Sequence, residues 1–357
     1  MGRYVLNELR KKLDRFGRVD LIHAPTPFAR LDNITRELGG PEIYIKRDDL
    51  TGLAFGGNKS RKLEFIIHDI LEKKCDAVIT WASLQSNWCL QTAAAARRYG
   101  IAPVLLLFSP SGIPDEFDGN LLLDHILDAD IHIQTGAEGR VVTMEEAETH
   151  VDDLMRQAKE WGYTPYHAPI GGSSVGGSMD QPLGAVGYVE GFLEMYDQAC
   201  RQNIRFTHAI HASGSGGTQA GLVVGAAALD DSVRIIGISV SEEKKSYTSL
   251  VRNICLGTMD VLELGFDLPD EKIDVRDEYI GPGYGVVTKD VCEVLRKTAV
   301  LEGIYLDPVY TGKAMVALTD LIRKGELTRD HRVVFCHTGG TAALFPHRKT
   351  ITSHLSD

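Results

Sequence analysis

A lysine preceded by two glycines has the clearest chemical potential in this sequence. The run at residues 56–59, Gly-Gly-Asn-Lys, lets the backbone turn tightly and approach a ligand closely. Apolar residues recur with helical spacing from Leu63 to Leu71, so Lys59 is predicted at a helix start, where the helix dipole lowers the pKa of a lysine. Such a lysine can form a Schiff base with a carbonyl compound. The alternative is a solvated lysine, and this segment alone leaves both interpretations open.

A second motif, Gly214, Ser215, Gly216, Gly217 and Thr218, follows an apolar strand-like run and opens a helix rich in small residues. Consecutive backbone N–H groups in a glycine-rich turn bind phosphate, and the two hydroxyls add donors. The motif is not a Walker A loop, and it lacks the acidic residue expected of a dinucleotide fingerprint. It therefore predicts a phosphate site, whereas the alternative is a turn without a ligand.

The elements that position these motifs alternate along the chain. Strands are predicted at residues 43–46, 77–81, 104–107, 131–134, 208–212, 235–240 and 333–336. Helices are predicted at residues 61–73, 91–99, 144–161, 184–199, 217–229, 289–302 and 311–324. This alternation is typical of βαβ units with mostly parallel sheets, which bind ligands at the carboxyl ends of their strands. Long loops are expected at 109–119 and 171–182, the second as a lid or a crossover between domains.

Composition limits the class of protein. The chain has 357 residues, of which 43% are hydrophobic, and is long enough for about two domains. Its net charge of -11 argues against binding to nucleic acid. It has no apolar run long enough for a transmembrane helix, and its polar N-terminal segment lacks a signal core. Its 6 scattered cysteines lack metal-ligand spacing, so we expect reduced thiols, no metal site and a cytoplasmic location.

Further motifs occur in order along nearly the whole chain. They are APTP at 24–27, YIKRDD at 44–49, GGNKSRKLEF at 56–65, QSN at 85–87, the glycine-rich motif, PGYG at 282–285, LDPVYTGK at 306–313 and HTGG at 337–340. With these motifs the chain resembles the pyridoxal-phosphate (PLP) enzymes that include aminocyclopropane-carboxylate deaminase and D-cysteine desulfhydrase. The resemblance implies PLP as cofactor and two three-layer α/β/α domains with the tryptophan synthase β-subunit fold, fold type II.

The resemblance also implies which residues bind the cofactor. Lys59 would carry it as a Schiff base, and Asn58 would bind its phenolic oxygen. Residues 214–218 would hold its phosphate.

Other residues are expected to contact the substrate. Ser86 and Asn87 would bind its carboxylate, with Gln85 supporting the turn, and Ser86 is also a candidate nucleophile or proton acceptor. Tyr284 and Tyr310 match two active-site tyrosines of the family. Without the resemblance, packing explains each tyrosine at least as well.

Two threonines distinguish between reactions of the family. Aminocyclopropane-carboxylate deaminases have glutamate after the DPVY tyrosine and leucine in the HxGG motif, where this chain has Thr311 and Thr338. A carboxylate keeps the cofactor's ring nitrogen protonated, whereas a threonine hydroxyl can donate to a neutral nitrogen and leaves a weaker electron sink. A weaker sink suffices to expel a good β-leaving group, so both residues favour β-elimination over cyclopropane ring opening.

Two departures from the family pattern affect specificity. The pattern after Ser-Asn has a polar or imidazole residue and an arginine two positions later, but this chain has Trp88, Cys89 and Leu90. Trp88 is interpreted either as narrowing the substrate pocket or as packing at the helix start. The glycine-rich run at 173–184 looks longer than in relatives and is a candidate for reshaping the pocket mouth.

The sequence therefore predicts β-elimination on a cysteine-like amino acid, with D-cysteine giving pyruvate, ammonia and hydrogen sulfide. Lys59 or Ser86 would take the α-proton, and Tyr284 or Tyr310 would protonate the leaving group. The alternatives are an L-cysteate sulfo-lyase, an aminocyclopropane-carboxylate deaminase and, in a different class, a catalytically silent PLP-binding protein. A hydride-transfer enzyme is a weaker rival.

The expected architecture has a large PLP-binding domain of residues 1–53 and 173–357 and a smaller inserted α/β domain of residues 54–172. The cofactor would lie in the cleft between the two domains. A homodimer is expected from the resemblance alone.

Overall fold

Two separate β-sheets organise this computed structural model. The structure describes residues 2–109, 112–135, 142 and 144–356, and the elements below are those of the described residues. The strands are β1 (Phe28–Arg30), β2 (Glu42–Arg47), β3 (Ala77–Ser83), β4 (Ala102–Ser109), β5 (Asp130–Thr135), β6 (Pro165–His167), β7 (His208–Ser213), β8 (Arg234–Ser239), β9 (Asp274–Arg276) and β10 (Arg332–His337).

Helices cover both sheets. They are α1 (Leu6–Leu13), α2 (Asp32–Leu38), α3 (Asn58–Glu72), α4 (Asn87–Arg98), α5 (Gly119–Ile126), α6 (Met144–Glu160), α7 (Leu183–Arg201), α8 (Gly217–Leu229), α9 (Lys244–Val261), α10 (Lys289–Glu302), α11 (Thr311–Arg323) and α12 (Arg348–Ser356). Within the described part of the chain, no helix combines the length and the apolar character needed to cross a membrane.

The larger sheet has the strand order β1-β2-β10-β7-β8-β9, and the smaller sheet has the order β5-β4-β3-β6. Only β1 runs antiparallel to its neighbour, while every other pair in the two sheets is parallel. The predicted α/β class with mostly parallel sheets is confirmed. Parallel strands joined by helices place the loops that enter those helices at one edge of each sheet.

Each sheet is covered on both faces. In β10, Val333 and Phe335 join a core cluster with α2, α10 and α11, whereas Val334 joins another with α3, α7 and α8. In β3, Ile79 and its neighbours on the same face pack against α6, whereas Val78 packs with α3 and α4. Since successive side chains of a strand point to opposite faces, each sheet is the middle of three layers, as predicted.

The chain crosses from the larger sheet to the smaller one through α3 and returns through the segment after β6, which leads into α7. Residues 171–182 were predicted to form either a lid or a crossover, and their place in this return segment is that of a crossover. All four strands of the smaller sheet lie between residues 77 and 167. The boundaries of the inserted domain, residues 54–172, stay a prediction.

A buried ionic network fixes α3 against the larger sheet. Arg61 donates to both carboxylate oxygens of Asp48, at 2.9 and 2.8 Å, and to Glu194 of α7 at 2.7 Å. Lys46 of β2 pairs with the same Glu194. Although burial alone would raise the pKa of Asp48, the charge of Arg61 holds it well below its usual range. The start of α3 is thereby held at the carboxyl end of β2.

Candidate active site

Two loops in close contact position the first turn of α3. Gly57 forms an isolated β-bridge with Gly339, and the Asn58 N–H donates to the Thr338 carbonyl at 2.9 Å. A Cβ on Gly339 would lie 2.6 Å from the Gly57 Cα, and Gly339 has a φ of +89°, so this contact needs glycine. Lys59 therefore lies beside the carboxyl end of β10, where sequence reasoning expected a ligand site.

Most of Lys59 is buried, and this burial lowers the pKa of its amine to about 8. The lowered pKa increases the neutral fraction of the amine at neutral pH, and only the neutral amine is nucleophilic. The adjacent Asn58 donates from Nδ2 to the Thr218 Oγ1 at 3.0 Å. This bond joins the start of α3 to the glycine-rich motif, so the two predicted motifs lie side by side.

The glycine-rich motif is the turn between β7 and α8. Gly216 is the N-cap residue with a φ of +83° and gives α8 no side-chain cap, so the first N–H groups of the helix are available to a ligand. The Ser215 Oγ lies 2.8 Å from the Ser173 Oγ, and a Cβ on Gly217 would lie 2.6 Å from that same oxygen. Free N–H groups, hydroxyls and a cradle that a side chain would fill are a fitting donor set for the phosphate of PLP.

Lys62 is a residue of this site that sequence reasoning missed. Its Nζ donates to the Gly171 carbonyl at 3.1 Å and to the Ser173 Oγ at 3.2 Å, and no carboxylate of the described residues pairs with it. Burial, and then the charge of Lys59, hold its pKa well below the usual range. A phosphate in the neighbouring turn would supply the missing negative charge. Its spacing, one helical turn after Lys59, was the available signal.

Ser86 is the N-cap residue of α4, at the carboxyl end of β3. Its Oγ accepts the N–H groups of Trp88 at 3.2 Å and Cys89 at 3.1 Å. These two bonds use the oxygen's acceptor capacity and leave its proton free to donate. The geometry therefore favours carboxylate binding by Ser86 over its predicted alternative role as proton acceptor, and both roles stay predictions.

Gln85 and Asn87 contact the start of α5 through Asn120. The Gln85 Oε1 accepts the Asn120 N–H at 2.8 Å, and its Nε2 donates to the Asp118 carbonyl at 3.0 Å. Both ends of the Gln85 amide are thus engaged, which suits support of the turn rather than substrate contact. Asn120 also donates to the Asn87 Oδ1 at 2.8 Å, which leaves the Asn87 Nδ2 as the donor for a substrate.

Trp88 lies in the core. Only 3% of it is exposed, and its Nε1 donates to the Thr80 Oγ1 at 2.6 Å. A Cβ on Gly172 would lie 2.9 Å from the indole ring and 2.4 Å from the Ile66 side chain, so the ring fills space under the return segment. These contacts are those of the packing interpretation, and the predicted substrate contact of Trp88 has no support in this geometry.

Tyr284 and Tyr310, the two predicted active-site tyrosines, lie side by side. Their hydroxyls lie 2.6 Å apart, and the Ser83 Oγ is 3.4 Å from the Tyr284 hydroxyl. Burial raises the pKa of both phenols, so both are protonated at neutral pH and can donate. A Cβ on Gly214 would lie 3.4 Å from the Tyr310 ring, so the pair borders the glycine-rich motif.

Thr311 requires a correction. It is fully buried, its Oγ1 donates to the Asp307 carboxylate at 2.6 Å, and it accepts the Asp307 N–H at 2.7 Å. Since a hydroxyl has a single proton, this geometry contradicts the prediction that Thr311 donates to the cofactor's ring nitrogen. The Thr338 hydroxyl has no partner within the described ranges, so the predicted role remains open to Thr338 alone.

Comparison with known proteins gives consistent results. The chain matches the family described as "Pyridoxal-phosphate dependent enzyme" over residues 19–339. D-cysteine desulfhydrase of Salmonella newport is 39% identical over 341 residues, which covers 94% of this chain and 97% of the relative. A Pyrococcus abyssi protein, provisionally named 1-aminocyclopropane-1-carboxylate deaminase, is 38% identical over 333 residues, 93% of this chain and 94% of that protein. The crystal structure of an ACC deaminase homologue has a TM-score of 0.86 at 36% identity and covers 97% of this chain and 99% of that one.

Proposed function

Because the chain belongs to the pyridoxal-phosphate-dependent enzymes and has their fold type II architecture, we propose that it is a lyase that converts D-cysteine to pyruvate, ammonia and hydrogen sulfide. Its cofactor is pyridoxal 5'-phosphate. The likeness to the desulfhydrase of Salmonella newport supports the substrate.

One observation carries the proposed reaction type. Lys59, whose amine has a lowered pKa, follows Asn58, which bonds to the glycine-rich motif, and a pair of protonated phenols 2.6 Å apart borders the same motif. An elimination needs a base for the α-proton and an acid for the departing sulfur, and we assign these roles to Lys59 and the tyrosine pair.

When bound, PLP withdraws electrons from Cα of the amino acid and so weakens its C–H bond. The residues of this chain supply the remaining steps. The N–H groups at the start of α8 would hold the cofactor's phosphate, and the Asn87 amide would hold the substrate's carboxylate. Together these contacts would orient the substrate for removal of its α-proton. The Lys59 amine takes the α-proton. The C–S bond then breaks with its electron pair on sulfur, a phenol of the tyrosine pair protonates that sulfur, and water hydrolyses the released enamine to pyruvate and ammonia.

Opening of aminocyclopropane-carboxylate is the second candidate reaction. The Pyrococcus abyssi relative is provisionally named 1-aminocyclopropane-1-carboxylate deaminase, and the crystal structure is that of an ACC deaminase homologue. Both are about as similar to this chain as the desulfhydrase is. Against it stand Thr311 and Thr338, where glutamate and leucine were expected for a deaminase. An L-cysteate sulfo-lyase would use the same acid and base with sulfite as leaving group.

The test is a substrate panel on the purified, PLP-loaded protein. It contains D-cysteine, L-cysteine, β-chloro-D-alanine, L-cysteate, D-serine and aminocyclopropane-carboxylate, with assays for keto acid, ammonia and sulfur product. We expect pyruvate and sulfide from D-cysteine, and neither from the Lys59→Ala variant. 2-Oxobutyrate from the cyclopropane substrate, or sulfite from L-cysteate as the dominant activity, would overturn the proposal. Cofactor binding without turnover of any compound would favour the silent PLP-binding protein.

A further inference from the structure

Lys313 makes two hydrogen bonds that bracket the turn carrying Tyr284. Its Nζ donates to the Ile280 carbonyl at 2.7 Å and to the Gly283 carbonyl at 3.0 Å. The turn has no regular secondary structure, and its Gly281 is exposed. Lys313 therefore ties both ends of this segment to α11.

Burial of the Lys313 amine has a desolvation cost, which its hydrogen bonds offset. The side chain is 2% exposed, and among the described residues no carboxylate lies within ion-pairing distance of its Nζ. Burial lowers the pKa of its amine to about 8, although the charge of nearby Asp307 opposes this shift. An apolar side chain of similar length would fill the space without the desolvation cost of an amine. Such a side chain would lack the hydrogen-bond donors that bond to the Ile280 and Gly283 carbonyls.

One helix end thereby places both phenols. Tyr310 is the N-cap residue of α11, and its N–H donates to the buried Asp307 carboxylate at 2.8 Å. The Val309 and Thr311 N–H groups donate to that same carboxylate at 2.9 and 2.6 Å. Lys313 lies one helical turn further on. The helix thus carries Tyr310 directly and holds Tyr284 through Lys313.

We propose that Lys313 is a positioning residue for catalysis: its two bonds to the Ile280 and Gly283 carbonyls set the distance between the Tyr284 and Tyr310 hydroxyls. The proposal rests on the proposed role of the tyrosine pair as proton donor. Lys313 itself touches neither substrate nor cofactor, and it acts through the Tyr284 turn.

The test is a double-mutant cycle with Lys313→Met and Tyr284→Phe in the PLP-loaded protein. We expect Lys313→Met to lower kcat by about 10- to 100-fold, as misplacement of a catalytic group does, with the cofactor absorbance unchanged. In the Tyr284→Phe background the same change should have little further effect, because residues that act as one unit are not additive. Full multiplication of the two effects, or an unchanged kcat in Lys313→Met, would overturn the proposal.

Tyr279→Phe is the matched control. Tyr279 precedes the same turn, and its hydroxyl donates to Asp320 of α11 at 2.8 Å, so its loss removes another tie between the turn and that helix. We expect its kcat to stay within about twofold of the wild type, since this bond does not bracket Tyr284. An equal loss in Tyr279→Phe would mean that removal of any contact between this segment and α11 has this effect, which would contradict a specific role of Lys313. If Lys313→Met does not fold, Lys313→Leu, which also lacks hydrogen-bond donors, replaces it.

The proposed function and this inference fail in different ways. If the wild type turns over no compound of the panel, the proposed function fails, and hydrogen exchange of the backbone amides at residues 280–285 then tests the inference. We expect faster exchange there in Lys313→Met than in Tyr279→Phe. Equal exchange in the two variants would overturn the inference without any measurement of activity.

Discussion

At the scale of single residues, Asp124 is a buried carboxyl group that the proposed reaction does not use. It is fully buried, and neither of its oxygens has a hydrogen-bond partner within the described ranges. Burial raises its pKa to about 8. Asn87 and Arg97 of α4 both bond to α5 or its end, and Leu90 lies on the same face of α4. Asp124 is therefore a buried carboxyl group without a compensating partner among the described residues.

Asp124→Asn tests this assignment through the pH dependence of stability. A carboxyl whose pKa is raised on folding stabilises the protein fully below its unfolded value near 4, and this contribution is lost as pH rises toward the folded value of about 8. The asparagine variant has no such loss. We therefore expect it to gain on the wild type between pH 5 and pH 8 by about 1.4 kcal/mol for each pH unit, measured by urea unfolding. Asp128→Asn, at a fully exposed site after α5, should show no such gain, and a gap that is constant with pH would contradict the account.

At the scale of elements, the position of α3 decides where Lys59 lies. The network of Arg61, Asp48, Glu194 and Lys46 joins α3 to β2 and α7, and its members are nearly all buried. A buried charge that loses its partner is strongly destabilising, because its desolvation is no longer compensated. The ionic network is therefore a requirement for the site as well as for the fold.

Asp48→Asn should lower the free energy of unfolding by about 3 to 5 kcal/mol, because it leaves Arg61 undercompensated in the interior. The measurement is chemical denaturation of the cofactor-free protein. The matched control is Glu42→Gln, which breaks the exposed bridge to Arg332 and should change the free energy of unfolding by about 1 kcal/mol or less. Similar losses in the two variants would show that burial of the network has no special weight.

Element prediction from the sequence succeeded where side-chain periodicity was long and the ends were marked. Helices α8 and α10 begin and end as predicted, with glycine or threonine at their N-caps. Strands β1, β6 and β9 were missed because three residues are too few to show a pattern. Helices α1, α2, α5, α9 and α12 were also missed. Of these, α9 had a readable signal, since Tyr247, Val251, Ile254 and Thr258 lie on its buried face.

The candidate site was predictable where a motif carries the chemistry. Lys59, the glycine-rich motif and the tyrosine pair lie together as expected. Thr311 was misread because the sequence does not show that its hydroxyl donates a hydrogen bond to the Asp307 carboxylate. Lys62 was missed although its spacing from Lys59 was a signal, and Lys313 was missed because burial of a lysine depends on tertiary contacts that no local pattern shows.

At the scale of the whole molecule, the two segments that cross between the sheets both contribute to the site. Lys59 stands at the start of the outgoing segment, and Ser173 of the return segment contacts Ser215. A ligand held by both crossings binds only the folded chain. Its binding therefore stabilises the whole molecule.

Removal of PLP should accordingly lower the thermal unfolding midpoint, and reloading should restore it in a concentration-dependent way. At 100 times the dissociation constant the expected stabilisation is about 2.7 kcal/mol. Lys59→Ala should lose most of this gain, whereas Lys297→Ala, at an exposed pair with Glu37, should keep it. The measurement is calorimetry, and an unfolding midpoint indifferent to PLP would contradict the assignment of this cleft.

The expected homodimer stays a prediction at this scale. Light scattering of the loaded protein should give twice the chain mass of 39.2 kDa. A mass of one chain would contradict the prediction without affecting the proposed chemistry.

The most direct test of the account is the attachment point of the cofactor. The PLP-loaded protein is reduced with borohydride, digested, and the modified lysine is located by mass spectrometry. The account predicts the pyridoxyl group on Lys59 and its absence from Lys62. Lys62 lies one helical turn away, and its amine donates hydrogen bonds to Gly171 and Ser173. Modification of Lys62 or of a lysine outside the cleft, with Lys59 unmodified, would contradict the central claim.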